Sequence, residues 1–161
     1  MGLMSGTSMD GVDAAVVEIN EKNINVISTF IKSYDDELKQ ELLFIRDNKK
    51  SINLDDFARL DHKVGKFFGA AALSAIKESK IKSSQIQAIG SHGQTIRHQP
   101  RGKYPFSLQI GDPNIIANAT KITTVSDFRR RDIANGGEGA PLTPIFHKFL
   151  FQNKASDCVV L

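Results

Sequence analysis

Three stretches of the sequence gather hydroxyls, acids, amides and arginines around glycines. The first is Ser5-Gly6-Thr7-Ser8-Met9-Asp10-Gly11, between the apolar runs Gly2-Leu3-Met4 and Ala14-Ala15-Val16-Val17. Glycines let backbone approach a phosphate, successive amides and hydroxyls donate to its oxygens, and Asp10 is placed to hold Mg²⁺ directly or through water. The same residue types also build ordinary hairpin turns, in which Ser, Thr and Asp satisfy only their own backbone. A Walker loop is excluded, because the stretch has neither that motif's lysine nor a helix after it.

The second stretch is Gly90-Ser91-His92-Gly93-Gln94-Thr95-Ile96-Arg97-His98. The spacing of its two histidines matches no zinc motif. Gln94, Thr95 and His92 suit hydrogen bonding to a hydroxyl-rich ligand, and a structured loop would use the same residues. The third stretch, Asp127-Phe128-Arg129-Arg130-Arg131-Asp132, is followed by Gly136-Gly137-Glu138-Gly139. Three consecutive arginines cannot all point one way, so at least one turns inward, where a guanidinium fork fits a carboxylate or phosphate. Asp127 and Asp132 offer the other reading, an internal ion-pair network that stiffens a loop.

The elements that must hold these stretches follow from periodicity. The runs flanking residues 5–11 read as two strands joined by a tight turn, and residues 25–34, with Val26, Ile27, Phe30 and Ile31, as a third strand completing an antiparallel meander. Asp35 or Asp36 caps a helix through Ile45. A longer helix starts near Asn53, with Asp55 and Asp56 in its first turn. Its apolar positions Phe57, Leu60, Val64, Phe67, Phe68, Ala71, Ala72, Ala75 and Ile76 recur at three and four, a stripe for the core. Residues 86–90 read as a strand delivering the second stretch at its carboxyl end. Residues 106–110 form another, and Asp112-Pro113 starts a helix as N-cap and first position. Residues 122–125 are a strand running into the arginine stretch, a helix spans about 141–151, and an apolar strand at 157–161 closes the sequence. The expectation is a mixed α/β sheet of about five strands, with antiparallel first strands and packed helices.

The chain has 161 residues, 40% apolar and 24% charged, which fits one globular domain with a real core. A formal charge of +3, spread along the sequence, is too weak to argue for nucleic acid by itself, and no nucleic-acid partner is expected. The single cysteine, Cys158, makes no intrachain disulfide and suits a reducing cytoplasm. No run approaches the ~20 apolar residues that span a bilayer, and residues 1–9 lack a signal-peptide pattern.

In order and length the three stretches, with Gln109-Ile110-Gly111-Asp112-Pro113 and Ala140-Pro141-Leu142, resemble the anhydro-N-acetylmuramic acid kinases, bacterial members of the actin-like, hexokinase-like ATPase superfamily. The resemblance implies an actin-like (ribonuclease H-like) fold. It also implies ATP and Mg²⁺ as cofactors, and hydrolytic opening of 1,6-anhydro-N-acetylmuramic acid with phosphorylation of O6 in cell-wall recycling. Carried over residue by residue, it places ATP phosphates at Gly6, Thr7, Ser8, Met9, Asp10, Gly11, Val12 and Asp13, with the metal at Asp10. The sugar falls to His92, Gln94, Thr95 and Arg131, with Arg131 facing the lactyl carboxylate. The family's catalytic base belongs to a segment beyond Leu161. The 161 residues are thus expected to be the N-terminal domain of a two-domain sugar kinase, cut before its second domain and inactive alone, with a small amino sugar as partner, no membrane, and room for a homodimer. Two rivals stand beside this reading: a non-catalytic sugar-, phosphate- or self-binding domain, and an actin-like regulatory ATPase.

Overall fold

The computed structural model describes residues 1–21, 23–48, 51–152, 156 and 159. Strand β1 (Gly2–Ser5), β2 (Gly11–Ile19) and β3 (Ile24–Ser33) form the expected antiparallel meander. Helices α1 (Asp36–Asp47) and α2 (Leu54–Ser79) follow, then a short 3₁₀ turn (Ser83–Gln85). The second half holds β4 (Ile89–Gln99), β5 (Phe106–Ile110), α3 (Pro113–Thr120), β6 (Thr124–Ser126), α4 (Phe128–Ala134) and α5 (Pro144–Phe151).

The caps explain where the first three helices begin. The Asp35 carboxylate accepts from Leu38 N at 2.8 Å, the Asn53 side chain from Asp55 N at 2.8 Å, and Asp112 from Asn114 N at 2.8 Å with Pro113 at the first helical position. Each satisfies an amide that has no partner inside its helix. The α2 stripe lies inward as its periodicity demands: Leu60, Val64, Phe68, Ala71, Ala72, Ala75 and Ile76 are buried, and Phe57 and Phe67 are partly so. They pack against Leu3, Val12 and Ala14 of the sheet, Leu38, Leu42 and Ile45 of α1, and Ile116 of α3. Each large side chain so buried contributes ~2 kcal/mol.

Among the described residues the sheet has six strands, ordered β3-β2-β1-β4-β5, with β6 also pairing β4. Strand β1 is antiparallel to β2 and parallel to β4; β4 is parallel to β6 and antiparallel to β5. The last two share one edge of β4. Residues 89–91 pair with β6, and residues 94–99 pair with β5. Between them the β1 register slips, and Gly93 sits at φ +72, a bulge that a residue with a side chain would resist.

This strand corrects one expectation. The polar stretch 91–98 is not a loop beyond a strand ending at residue 90 but the strand itself: β1 and β6 flank its first residues and β5 pairs the rest, and this backbone pairing holds whatever the side-chain polarity. The arginine stretch is likewise not a loop but α4, packed near β5. The strand expected at 122–125 is the short β6 at 124–126, and α5 begins at Pro144 rather than near 141. The expected strand at 157–161, with buried Cys158, lies outside the described residues except for Val159, which is exposed.

Candidate phosphate loop and arginine site

The β1–β2 loop leaves the sheet at Ser5, whose side chain is 1% exposed. Ser5 Oγ lies 2.7 Å from Gly11 O and 2.6 Å from Gln94 Oε1, and receives the Tyr34 hydroxyl at 3.1 Å. The Gln94 amide donates from Nε2 to Gly6 O at 3.0 Å and to Thr95 O at 3.3 Å, which fixes its Oε1 toward Ser5. Tyr34 N donates to Asp10 O at 3.0 Å, and its ring lies 4.8 Å from that of Phe67 on α2. Burial pushes the Tyr34 phenol up to about 12, so it remains a donor throughout the neutral range. Both ends of the loop are therefore tied beneath it by a buried polar network, which a low-dielectric surrounding makes stiff.

Above that network the loop is open. Met9 donates to Gly6 O at 3.3 Å, closing a turn, whereas among the described residues the amides of Thr7 and Ser8 donate to no backbone carbonyl. Thr7, Ser8 and Asp10 are exposed. Ser8 Oγ donates to Asp10 Oδ1 at 2.5 Å, and this bond holds the carboxyl below the usual aspartate value. Met9 and Val12 turn the other way, into the core at 0% exposure; Met9 adopts φ 53, a strained conformation for a side-chain residue. Their side chains cannot meet a ligand, and any contact from these two positions is through backbone.

The two loop glycines differ. A Cβ on Gly11 would lie 2.4 Å from Lys32 O, whereas one on Gly6 would meet nothing nearer than Ser8 Oγ at 3.8 Å. Gly11 is required by β3. Among the described residues only Ser8 Oγ comes within contact of that space at Gly6.

Of the residues expected at the sugar, Thr95 keeps a half-exposed hydroxyl that accepts from Gln109 Nε2 at 3.2 Å. Gln94 is 0% exposed, with its amide committed to Ser5, Gly6 and Thr95, so in this arrangement it supports the loop. His92 is half-buried. Its Nδ1 lies 2.9 Å from Gly93 O, and its Nε2 accepts from Arg129 Nε at 2.8 Å. An acceptor Nε2 puts the ring proton on Nδ1. Burial first, then the Arg129 charge, holds the His92 pKa below the ordinary value, so the ring is neutral.

The arginines sort as they must. Arg130 pairs with Asp127 at 2.6 Å on the surface, Arg131 is exposed, and Arg129 turns inward. The internal-network reading is met in part: Asp132 Oδ2 accepts from Gly139 N at 2.7 Å, so the glycine run wraps this acid. Sequence reasoning missed Tyr34 and Arg97, whose partners lie far away along the chain. It expected one of the three arginines to turn inward without saying which.

The class that the fold defines is a mixed α/β domain, a mixed sheet with helices packed on it. The chain belongs to the anhydro-N-acetylmuramic acid kinase family, whose model matches residues 1–161. Relatives named anhydro-N-acetylmuramic acid kinase include those of Coxiella burnetii (strain RSA 493 / Nine Mile phase I), 47% identical, Vibrio vulnificus (strain CMCP6), 46%, and Aliivibrio fischeri (strain ATCC 700601 / ES114), 48%. All three align over 161 residues, 100% of this chain and 42%, 43% and 44% of their own lengths. The chain thus spans less than half the length of the curated relatives it matches.

Proposed function

We propose that these residues form the N-terminal domain of a two-domain, ATP-dependent kinase that opens 1,6-anhydro-N-acetylmuramic acid with water and phosphorylates its O6, in the bacterial cytoplasm. The observation that carries this reading is the residue 5–11 loop, anchored through Ser5, Tyr34 and Gln94, with Thr7, Ser8 and Asp10 exposed and the Thr7 and Ser8 amides without a backbone acceptor among the described residues. Strand order supports an actin-like, ribonuclease H-like fold: an antiparallel β1-β2-β3 meander continued through parallel β4 and β6.

The donor set fits Mg·ATP. Among the described residues no cluster of three His, Cys, Asp or Glu side chains exists to cage a metal, and Mg²⁺ bound with phosphates needs only one or two carboxylates and water. Asp10 would take it, directly or through water, while Gly6, Thr7, Ser8 and Gly11 shape the phosphate cradle and Met9, Val12 and Asp13 complete the segment. Bound there, Mg²⁺ would neutralise charge on the transferring phosphoryl group. On the sugar side Thr95 and Arg131 supply a hydroxyl and a guanidinium, His92 orients the arginine helix, and Gln94 acts through the loop. The base for the attacking water lies in sequence outside residues 1–161, in keeping with the share of the relatives that the chain covers.

The test follows labelled phosphate from ATP into the sugar. A protein of the relatives' length should convert anhydro-N-acetylmuramic acid, and the 161 residues alone should give no measurable conversion, since phosphoryl transfer depends on positioning across both walls of a cleft. In the longer protein Asp10→Asn should reduce Mg·ATP turnover far more than sugar affinity. Conversion by the 161 residues alone, or unchanged turnover of Asp10→Asn at saturating Mg²⁺ and ATP, would refute the reading.

A further inference from the structure

The other arginines with a fixed partner spend their guanidinium either on a carboxylate or on several backbone carbonyls. Arg46, Arg59, Arg101 and Arg130 each face a carboxylate, from Asp47, Asp56, Glu138 and Asp127. Arg97 spends its guanidinium on the carbonyls of Ile45, Arg46 and Asn48 at 2.6 to 2.7 Å, in the last turn of α1. Arg129 differs. It is partly buried, yet among the described residues no carboxylate pairs with it, and its one hydrogen bond goes from Nε to a neutral imidazole. A carboxylate in the place of His92 would have cancelled the charge. The imidazole fixes the plane of the guanidinium and leaves the charge and both terminal nitrogens unspent.

Leaving a cation half out of water without a counter-charge costs stability unless a ligand supplies one. The position suits a ligand. Ser91 pairs with Ser126, so α4 begins at the carboxyl end of β6, and the residue 5–11 loop leaves the carboxyl end of parallel β1, the end at which open α/β sheets bind ligands. His92 and Phe128 also line a cavity of about 520 Å³ on the face of the sheet opposite α2, together with Met4 and Asp13. Asp13 is a carboxylate on this wall, but it does not pair with Arg129.

We propose that Arg129, held in plane by His92, is an oxyanion-binding arginine whose two terminal nitrogens receive a pair of oxygens from the ligand. For the ligand's identity this rests on the kinase reading. The oxygens are then either the acid group of the muramic acid or a phosphoryl group of ATP, and both suit a planar fork.

The experiment uses a protein of the relatives' length carrying Arg129→Gln or Arg129→Lys, with Arg130→Gln as control because it loses only an exposed ion pair. Kinetics are measured with anhydro-N-acetylmuramic acid, with the corresponding anhydro sugar lacking the lactyl acid, and with ATP varied. Arg129→Gln should lower kcat/KM about a hundredfold, the scale for losing a bidentate charged contact. Arg129→Lys, with charge but no fork, should lie between, and Arg130→Gln should stay within about twofold. If the carboxylate is read, the loss vanishes with the sugar that lacks it; if a phosphoryl group is read, KM for ATP rises with both sugars. Independently, nitrogen-15 spectra of labelled histidine should show His92 protonated at Nδ1. Its signal should shift on titration with acetate or inorganic phosphate in the native protein, but not in Arg129→Gln. These spectra test Arg129 even if no kinase activity is found, an outcome that would sink the kinase reading alone. The proposal is overturned if Arg129→Gln stays within about twofold in every kinetic arm, or if the His92 signal ignores both anions.

Discussion

Residues 6 and 11 divide the work of the loop. Gly11 is glycine because a β3 carbonyl occupies the place of a Cβ, so Gly11→Ala should destabilise the fold by about 1–3 kcal/mol, as overpacking does. Gly6 has room for a methyl group in the protein alone, so Gly6→Ala should leave stability within about 0.5 kcal/mol. On the proposed kinase reading that methyl group would stand in the path of a phosphate oxygen, and KM for Mg·ATP should rise about tenfold or more. Urea denaturation of both variants, set beside ATP kinetics, separates the two roles; equal stability losses would refute the division. At this scale the sequence announced the loop by composition but not its underside. Asp10 and Ser8 are local neighbours, whereas Ser5, Tyr34 and Gln94 converge from three places along the chain, and only the folded sheet brings them together.

Helices were the legible elements. The α2 stripe and the caps at Asp35, Asn53 and Asp112 are local signals, and the structure uses them where they stand. Strand β4 was obscured because its polarity follows from what lies on each side of it. His92 faces a cavity, Gln94 a buried network, and Arg97 the end of α1, so no period-two apolar pattern survives. Helix α4 was obscured by its three arginines, which read as loop chemistry; in the fold the helix packs near β5 and Arg129 reaches His92 of β4. Arg97 gives this scale its prediction. Besides a bond to Ile96 O, it donates to three carbonyls at the end of α1, where helical carbonyls run out of helical donors. Arg97→Met, which keeps the stem, should cost about 2–3 kcal/mol in chemical denaturation, and Arg97→Lys should recover only part, since a point charge cannot serve three carbonyls in one plane. A loss below ~0.5 kcal/mol for Arg97→Met would show the clamp to be ornamental.

For the whole molecule, the order of strands in space differs from their order in the chain. Strand β1 has one neighbour, β2, a few residues away, and another, β4, whose Gly90 pairs with Gly2 across more than half the sequence. Closing a loop of that length costs entropy before its contacts repay it, and topologies rich in such pairings fold in milliseconds to seconds rather than microseconds. The β2–β3 ribbon is the part able to form early. Truncating Val16, buried within it, to alanine should therefore slow refolding. Ile89→Val, at the start of the remote strand, should mainly speed unfolding, with a φ-value nearer ~0 than ~1. Stopped-flow chevrons would show this, and the reverse pattern would place the β1–β4 seam in the nucleus. The last seam to zip is then the one that brings Gln94 under Ser5. A chain caught with its ribbon made and this seam open already has most of its secondary structure, but the loop between its first two strands has no floor.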